Sequence, residues 1–316
     1  MDLMSTKEGT LLQDFYPAGW NLKRIDECCS HPPESISERQ EFWNPGFEPV
    51  QCDELADFNV MLGLEIATAI KKASDEGRRL ALILPMGPMG MYKWTIYFLK
   101  KWKVSCDHVT GFNMDEWSDA QGNTLPASDP RAFENAMQQS FYGPLDELTV
   151  PVSQRYFATK DSLPRYGDAI AGLKAKGARM IMVYGIGRSM HIAFWEPHFA
   201  ADFKDEREWR GAVYGMGVKL HPMSIEQLAL TCYKSRFTLC GATANTIGPG
   251  VFLQADQIIG GCDGIFGRGM QWQGVSLWTT LRYGPDMWIP STFIPTLPGS
   301  LFYVKELAGP LTPENN

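Results

Sequence analysis

Short uninterrupted apolar runs alternate with amphipathic stretches along most of this chain. Leu80–Leu84 (LALIL) and Met180–Tyr184 (MIMVY) have the length of buried strands and are too short for helices. His108–Phe112 and Leu301–Val304 read the same way, and Leu253–Ile259 more weakly. Between them, Leu55, Phe58, Leu62, Ile66 and Ile70 fall on one helical stripe that closes on Lys71-Lys72. Further helices are predicted over Met91–Trp102, Arg131–Phe141, Leu163–Ala175 and Met270–Leu281. Another starts at Ser224, whose spacing to Gln227 suits a capping box. Strands alternating with helices predict an α/β fold: a doubly wound, mostly parallel sheet with helices on both faces, Rossmann-like in plan. No internal repeat or low-complexity linker interrupts it, so 47–316 is expected to form a single domain. Residues 1–46 are an aperiodic N-terminal extension. Phe15, Tyr16, Trp20, Phe42 and Trp43 make it too aromatic for a free tail, and it is expected to pack on the core or on a neighbouring subunit. His198–Trp209 is charged and lacks an apolar stripe, as expected of a mobile lid.

In open parallel sheets, ligands bind on the loops beyond the carboxyl ends of the strands. Three such loops carry unusual residues here. Leu80–Leu84 runs into Pro85–Gly90, a glycine loop followed by a helix, where backbone N–H groups can receive an anion. His108–Phe112 runs into Asn113-Met114-Asp115-Glu116-Trp117, and Met180–Tyr184 into Gly185-Ile186-Gly187, with His191 and Glu196 beyond. Histidine moves protons near neutral pH, and a carboxylate beside it orients the ring. Taken singly, His191 is better read as a core histidine and Asp115-Glu116 as solvated turn residues. Together they point to an active site.

Charge and cysteine content narrow the function classes. Net charge is −7 with no basic run, so nucleic acid is not an expected partner. The longest uncharged run, Phe237–Ala255, is punctuated by glycines and a proline, which is the pattern of loop and strand and not of a membrane span. The N-terminus shows no signal-peptide pattern, and seven cysteines, an odd count, fit reduced thiols in a cytoplasmic protein better than a disulfide framework. Cys28, Cys29 and His31 lack a second ligand pair, so no metal site is expected.

The segments FNMDEW (112–117) and GIGRSMHIAFWEP (185–197) resemble the glucosamine-6-phosphate deaminase (isomerase) family, which usually shows FNMDEY and GxGxDGHIAFNEP. LPMGPMGMYK (84–93) is similar to its LPTGGTPxxxY loop, and TIGPGVFLQADQI (246–258) to its TVGxGTLLDAxE segment. The motifs keep the family's order over about residues 47–304. The resemblance implies an aldose–ketose isomerase/deaminase acting on an amino sugar or its phosphate. In it, Asp115 would move a proton between C1 and C2, and His191, oriented by Glu196, would open the ring. It implies no metal and no cofactor. The expected substrate contacts are Met86, Gly87, Met89 and Gly90 of the anion loop, with Glu116, Gly187, Arg188, Ser189 and Arg268. A small-molecule partner and a homo-oligomer are expected.

The departures are specific. Met86 and Met89 stand where the family has threonines, and Pro88 removes a backbone donor. Ser189-Met190 replaces the family's Asp-Gly, which would bring a thioether beside the substrate. The family's threonine-arginine phosphate grip falls at Ser224-Ile225, and its lysine has no counterpart, although Arg268 or Arg282 would offer a substitute. The catalytic core is kept while the phosphate grip is altered. Two alternatives stand beside this reading: a lactone hydrolase of the 6-phosphogluconolactonase type, and a sugar-binding protein with a relict site.

Overall fold

The computed structural model of the chain describes residues 3–267 and 269–313. Within the N-terminal stretch, α1 (Leu22–Cys28) is capped by the Asn21 carboxamide, which accepts the Arg24 N–H at 3.1 Å. The main chain of elements then begins with β1 (Phe47–Cys52) and α2 (Leu55–Asp75), whose Phe58, Leu62, Ile66 and Ile70 are fully buried as the stripe requires. Next come β2 (Leu80–Leu84) and α3 (Gly90–Trp102), the latter stopped by Lys103 in the left-handed conformation. After β3 (Val109–Asn113) the chain makes β4 (Asp115–Trp117), α4 (Phe133–Met137) and β5 (Arg155–Tyr156). α5 (Tyr166–Ala175) leads into β6 (Arg179–Gly185), followed by α6 (Glu206–Gly211), β7 (Tyr214–Lys219) and α7 (Pro222–Cys232). β8 (Thr243–Ile247), α8 (Pro249–Phe252) and β9 (Gln257–Cys262) precede a hairpin of β10 (Ile265–Gly267) and β11 (Met270–Gln271). α9 (Gly274–Arg282) and β12 (Gly299–Val304) complete the fold.

Seven strands form one parallel sheet in the order β1-β12-β9-β6-β2-β3-β5. This is the doubly wound α/β plan that the alternating runs predict. β2 and β3 are buried at every position, as strands covered on both faces must be. A second sheet, β4-β8-β7, is antiparallel and escapes the sequence reading, because Asp115-Glu116-Trp117 and the glycines of Tyr214–Lys219 hide its strands.

Three further expectations need correction. The helix read over Arg131–Phe141 is α only from Phe133 to Met137, and the last turn widens to i→i+5 bonding. The charged segment His198–Trp209 is no loose lid. It contains a 3₁₀ helix over Pro197–Asp202 and most of α6, and its Phe199 and Trp209 are buried, the latter packed on Phe293 at 4.9 Å between centroids. α7 begins at Pro222 with His221 as its cap, so Ser224 lies inside the helix and is free for another role.

The N-terminal stretch lies against the elements that follow it. Trp20 Nε1 donates to the Trp288 carbonyl at 2.8 Å, and Trp43 Nε1 to the Leu281 carbonyl at 3.1 Å. Ile25 and Cys28 of α1 share an apolar cluster with Met190, Tyr283 and Ile289.

Candidate active site

The loops that leave β2, β3, β6 and β9 surround a cavity of about 410 Å³ at the carboxyl end of the sheet. Asp115 and His191 both line it, as do Met86, Gly87, Met89 and Gly187. The second sheet locks the two catalytic candidates into one frame. Asp115 pairs with Thr246 across β4 and β8, and the Thr246 hydroxyl accepts the Phe194 N–H at 2.9 Å. One threonine thus braces both the aspartate strand and the histidine loop.

His191 is held from behind by a dense polar cluster. Its Nδ1 lies 2.9 Å from Ser189 Oγ, 3.0 Å from Ser224 Oγ and 3.3 Å from Glu196 Oε2. Ser189 Oγ donates to Glu196 Oε2 at 2.7 Å, and the His221 backbone N–H reaches Glu196 Oε1 at 3.3 Å. Glu196 is fully buried. Burial alone would raise its pKa, but His191 and the two serine hydroxyls outweigh that and hold it below the usual carboxylate value. An ionised Glu196 favours the tautomer with its proton on Nδ1 and leaves Nε2 for the substrate. On that side Gly187 presses against the ring: a Cβ there would sit 2.0 Å from Nε2, so only glycine leaves the imidazole in place.

The loop bearing His191 is strained. Met190 and Ala193 have φ of 63° and 54°, a left-handed conformation unusual for residues with a side chain. Met190 occupies the position where the resembling family has glycine, and the backbone keeps the glycine-type turn. Its thioether does not lie beside the substrate, contrary to the expectation above. It is 1% exposed, in the cluster with Ile25 and Cys28.

Asp115 is bare by comparison. It is half-buried, and its carboxylate takes no hydrogen bond from any other described side chain or N–H. Burial, with a smaller push from the Glu116 charge, raises its pKa to about 8. Glu116, next in sequence, points the other way because side chains alternate along a strand. Its carboxylate accepts the N–H groups of Trp117, Phe133 and Glu134 at 2.8–2.9 Å, and so closes the first turn of α4. Burial still raises it to about 7, against the pull of those three donors.

Several expected substrate contacts therefore fall elsewhere. Glu116 serves α4, since its oxygens are spent on backbone donors. Ser189 belongs to the cluster behind the ring and is fully buried. Arg188 is drawn to the surface by an ion pair with Glu226, while its N–H donates to Gln227 Oε1 at 2.7 Å. Gly90 opens α3 against the Asn59 carboxamide, outside the cavity lining. Arg268 lies outside the described residues. Arg282 reaches the Ser35 carbonyl, away from the cavity.

The structure adds residues that the sequence reading missed. Asp263, just beyond β9, lines the cavity with Trp272 and Gln273, which link the β10–β11 hairpin to α9. Gln227, Thr231 and Cys232 line it from α7. No lysine or arginine is among the described residues of the lining. No described cluster of histidine, cysteine and carboxylate side chains is arranged to hold a metal. No described helix is long and apolar enough to cross a membrane.

No family model matches the chain. Curated relatives do. It is 31% identical over 148 residues to a glucosamine-6-phosphate deaminase of Caenorhabditis elegans, covering 46% of this chain and 52% of the relative. It is 33% identical over 122 residues to the enzyme of that name from Aedes aegypti, covering 38% and 42%. The chain thus spans about half the length of the curated relatives it matches. Among solved structures, a monomeric glucosamine-6-phosphate deaminase superposes with a TM-score of 0.65 at 18% identity, over 83% of this chain and 99% of that one. A 6-phosphogluconolactonase from Trypanosoma cruzi gives 0.56 at 18%, over 87% and 99%. These two establish the fold, and the curated relatives bear out the resemblance read from the motifs.

Proposed function

We propose that this relative of the glucosamine-6-phosphate deaminases is an amino-sugar aldose–ketose isomerase/deaminase in which His191 opens the ring and Asp115 moves the proton. The observation that carries the reading is that Asp115 and His191 line one cavity at the carboxyl end of the parallel sheet, on loops beyond β3 and β6 with β2 between them.

In ring opening, the unprotonated Nε2 of His191 takes the proton of the anomeric hydroxyl and passes it to the ring oxygen as the bond from C1 to that oxygen breaks. C1 becomes an aldehyde. Glu196 and the hydroxyls of Ser189 and Ser224 hold the ring and balance its charge while it is protonated. Asp115 then takes the proton from C2. The electrons of that C–H bond form a C1–C2 double bond, and the aldehyde oxygen accepts a proton. Return of a proton to C1 leaves an imine at C2, and water attacks that imine to release ammonia and a ketose. A base with pKa near 8 is strong enough for a carbon acid and is still partly ionised near neutral pH.

The test is ammonia release from a panel of amino sugars and their phosphates, together with exchange of the C2 hydrogen in D₂O. Exchange that disappears in Asp115→Asn supports the reading. Hydrolysis of a sugar lactone with no C2 exchange would replace it with the lactone-hydrolase alternative.

A further inference from the structure

Asp263 has no part in the chemistry just described, yet it lines the same cavity. It follows β9, and Asp115 follows β3, with β6 and β2 between them. Three strand spacings place the two backbone positions about 14 Å apart, on opposite flanks of the cavity. His191, on the loop after β6, comes between them. A ligand with its reacting carbons at Asp115 and His191 therefore extends its other end toward Asp263.

The surroundings of Asp263 are unusual for a carboxylate. No other described residue gives its side chain a hydrogen bond, and no described cation reaches it. Protein packs closely enough around it that burial raises its pKa to about 6. The neighbouring polar side chain is directed to other partners. Gln273 accepts the Gly264 N–H through Oε1 at 2.8 Å and donates one Nε2 hydrogen to the Ile186 carbonyl. Thr231 spends its hydroxyl proton on the Gln227 carbonyl at 2.9 Å. Pro88 offers no N–H, and Met86 and Met89 bring apolar atoms. This wall presents a carboxylate whose only hydrogen bond among the described residues comes from its own N–H, and no described cationic side chain lines it. A dianionic phosphate there would meet a like charge without a described cationic partner to offset its lost hydration.

We infer that Asp263 is the specificity residue for the far end of the substrate, accepting a hydrogen bond from a hydroxyl or ammonium group and rejecting a phosphate. The substrate class is then the unphosphorylated amino sugar. This rests on the proposed reading of the cavity, but it is tested by binding, which needs no turnover. Calorimetric dissociation constants for glucosamine and glucosamine 6-phosphate would be measured on the wild type, Asp263→Asn and Asp263→Lys. The wild type is expected to bind glucosamine at least about tenfold more tightly than its phosphate, the difference that 1.4 kcal/mol represents. Asp263→Asn keeps the volume and removes the charge, and should cut that preference about tenfold. Asp263→Lys should reverse it.

A wild type that binds the phosphate as tightly as the free sugar overturns the inference. So does a preference left unchanged by Asp263→Asn, or the binding of neither sugar. Failure of the proposed reaction would appear separately, as normal binding without C2 exchange or ammonia release.

Discussion

On the histidine side of the cavity, Nδ1 of His191 has three oxygens within 3.3 Å, and the carboxylate behind it has its own donors. On the aspartate flanks, neither Asp115 nor Asp263 takes a side-chain hydrogen bond from another described residue. The contrast is one of timing. The histidine cluster is assembled before the substrate arrives, so the ring and its tautomer need no reorganisation during reaction. The two aspartates take no such bonds from other described residues, which on the proposed reading leaves their hydrogen bonding to the substrate. Placing solvation on one side and withholding it on the other also separates the proton affinities of groups in one pocket, with Glu196 held low and Asp115 held high.

The largest effect should come from the bare side. Asp115→Asn keeps the shape and removes the base, and C2 exchange in D₂O should fall about 10³-fold, within the span usual for acid–base groups. A loss smaller than tenfold would mean that the carboxylate is not the base and that the contrast has no catalytic meaning. Glu196→Gln attacks the ordered side. It leaves His191 without its counter-ion, and ring opening should slow about 10²-fold, while C2 exchange of an open-chain substrate analogue survives. Equal loss of both steps would show that the two sides do not divide the labour.

The raised pKa of Asp115 makes two further statements. Because the proposed base works deprotonated, kcat/KM should climb with pH, bend at about 8, its folded value, and level off above that. For stability, the unfolded carboxyl titrates near 3.8 and the folded one near 8, so the folded chain holds the extra proton between them. The contribution is fully present below about pH 4 and is lost as pH rises through 8. Asp115→Asn should therefore melt higher than the wild type at pH 8, by about 1.5 °C for each kcal/mol relieved. The gap should close at pH 4. A mutant that melts lower at pH 8 would mean that Asp115 has partners in solution.

The smallest catalytic effect is expected one residue away. Glu116→Gln should cost about 1–2 kcal/mol of stability through weakened bonds to the α4 N–H groups. It should change kcat less than tenfold. A large catalytic loss would return Glu116 to the cavity, against the alternation of β4.

The continuous apolar runs made β2, β3 and β6 readable, and with them the strand ends that carry Asp115 and His191. Polar strands were not readable: β4 and β8 lie in segments whose hydrogen-bonding residues serve the site, so they lack a clean alternation. Asp115-Glu116-Trp117 could have been read as a strand from its period of two, which would have turned Glu116 away from the ligand. Ser224 was misplaced because its spacing to Gln227 imitates a cap, whereas Pro222 at the first helical position marks the true start. Asp263 gave no local signal. It sits in a glycine-rich stretch with no motif, and only the parallel order of β9 and β6 brings it to the cavity.

The contact between α1 and Met190 changes what counts as the working unit. The motifs that resemble other proteins begin well after α1, yet Ile25 and Cys28 seat the residue next to His191, and the Phe15 carbonyl accepts from His221, whose backbone holds Glu196. Transplanting the motif-bearing part into another scaffold, or trimming the chain at the edge of the resemblance, would remove the foundation of the histidine loop while keeping every residue that does chemistry. In this protein the edge of the resemblance and the edge of the packing that supports the histidine loop fall at different places along the chain.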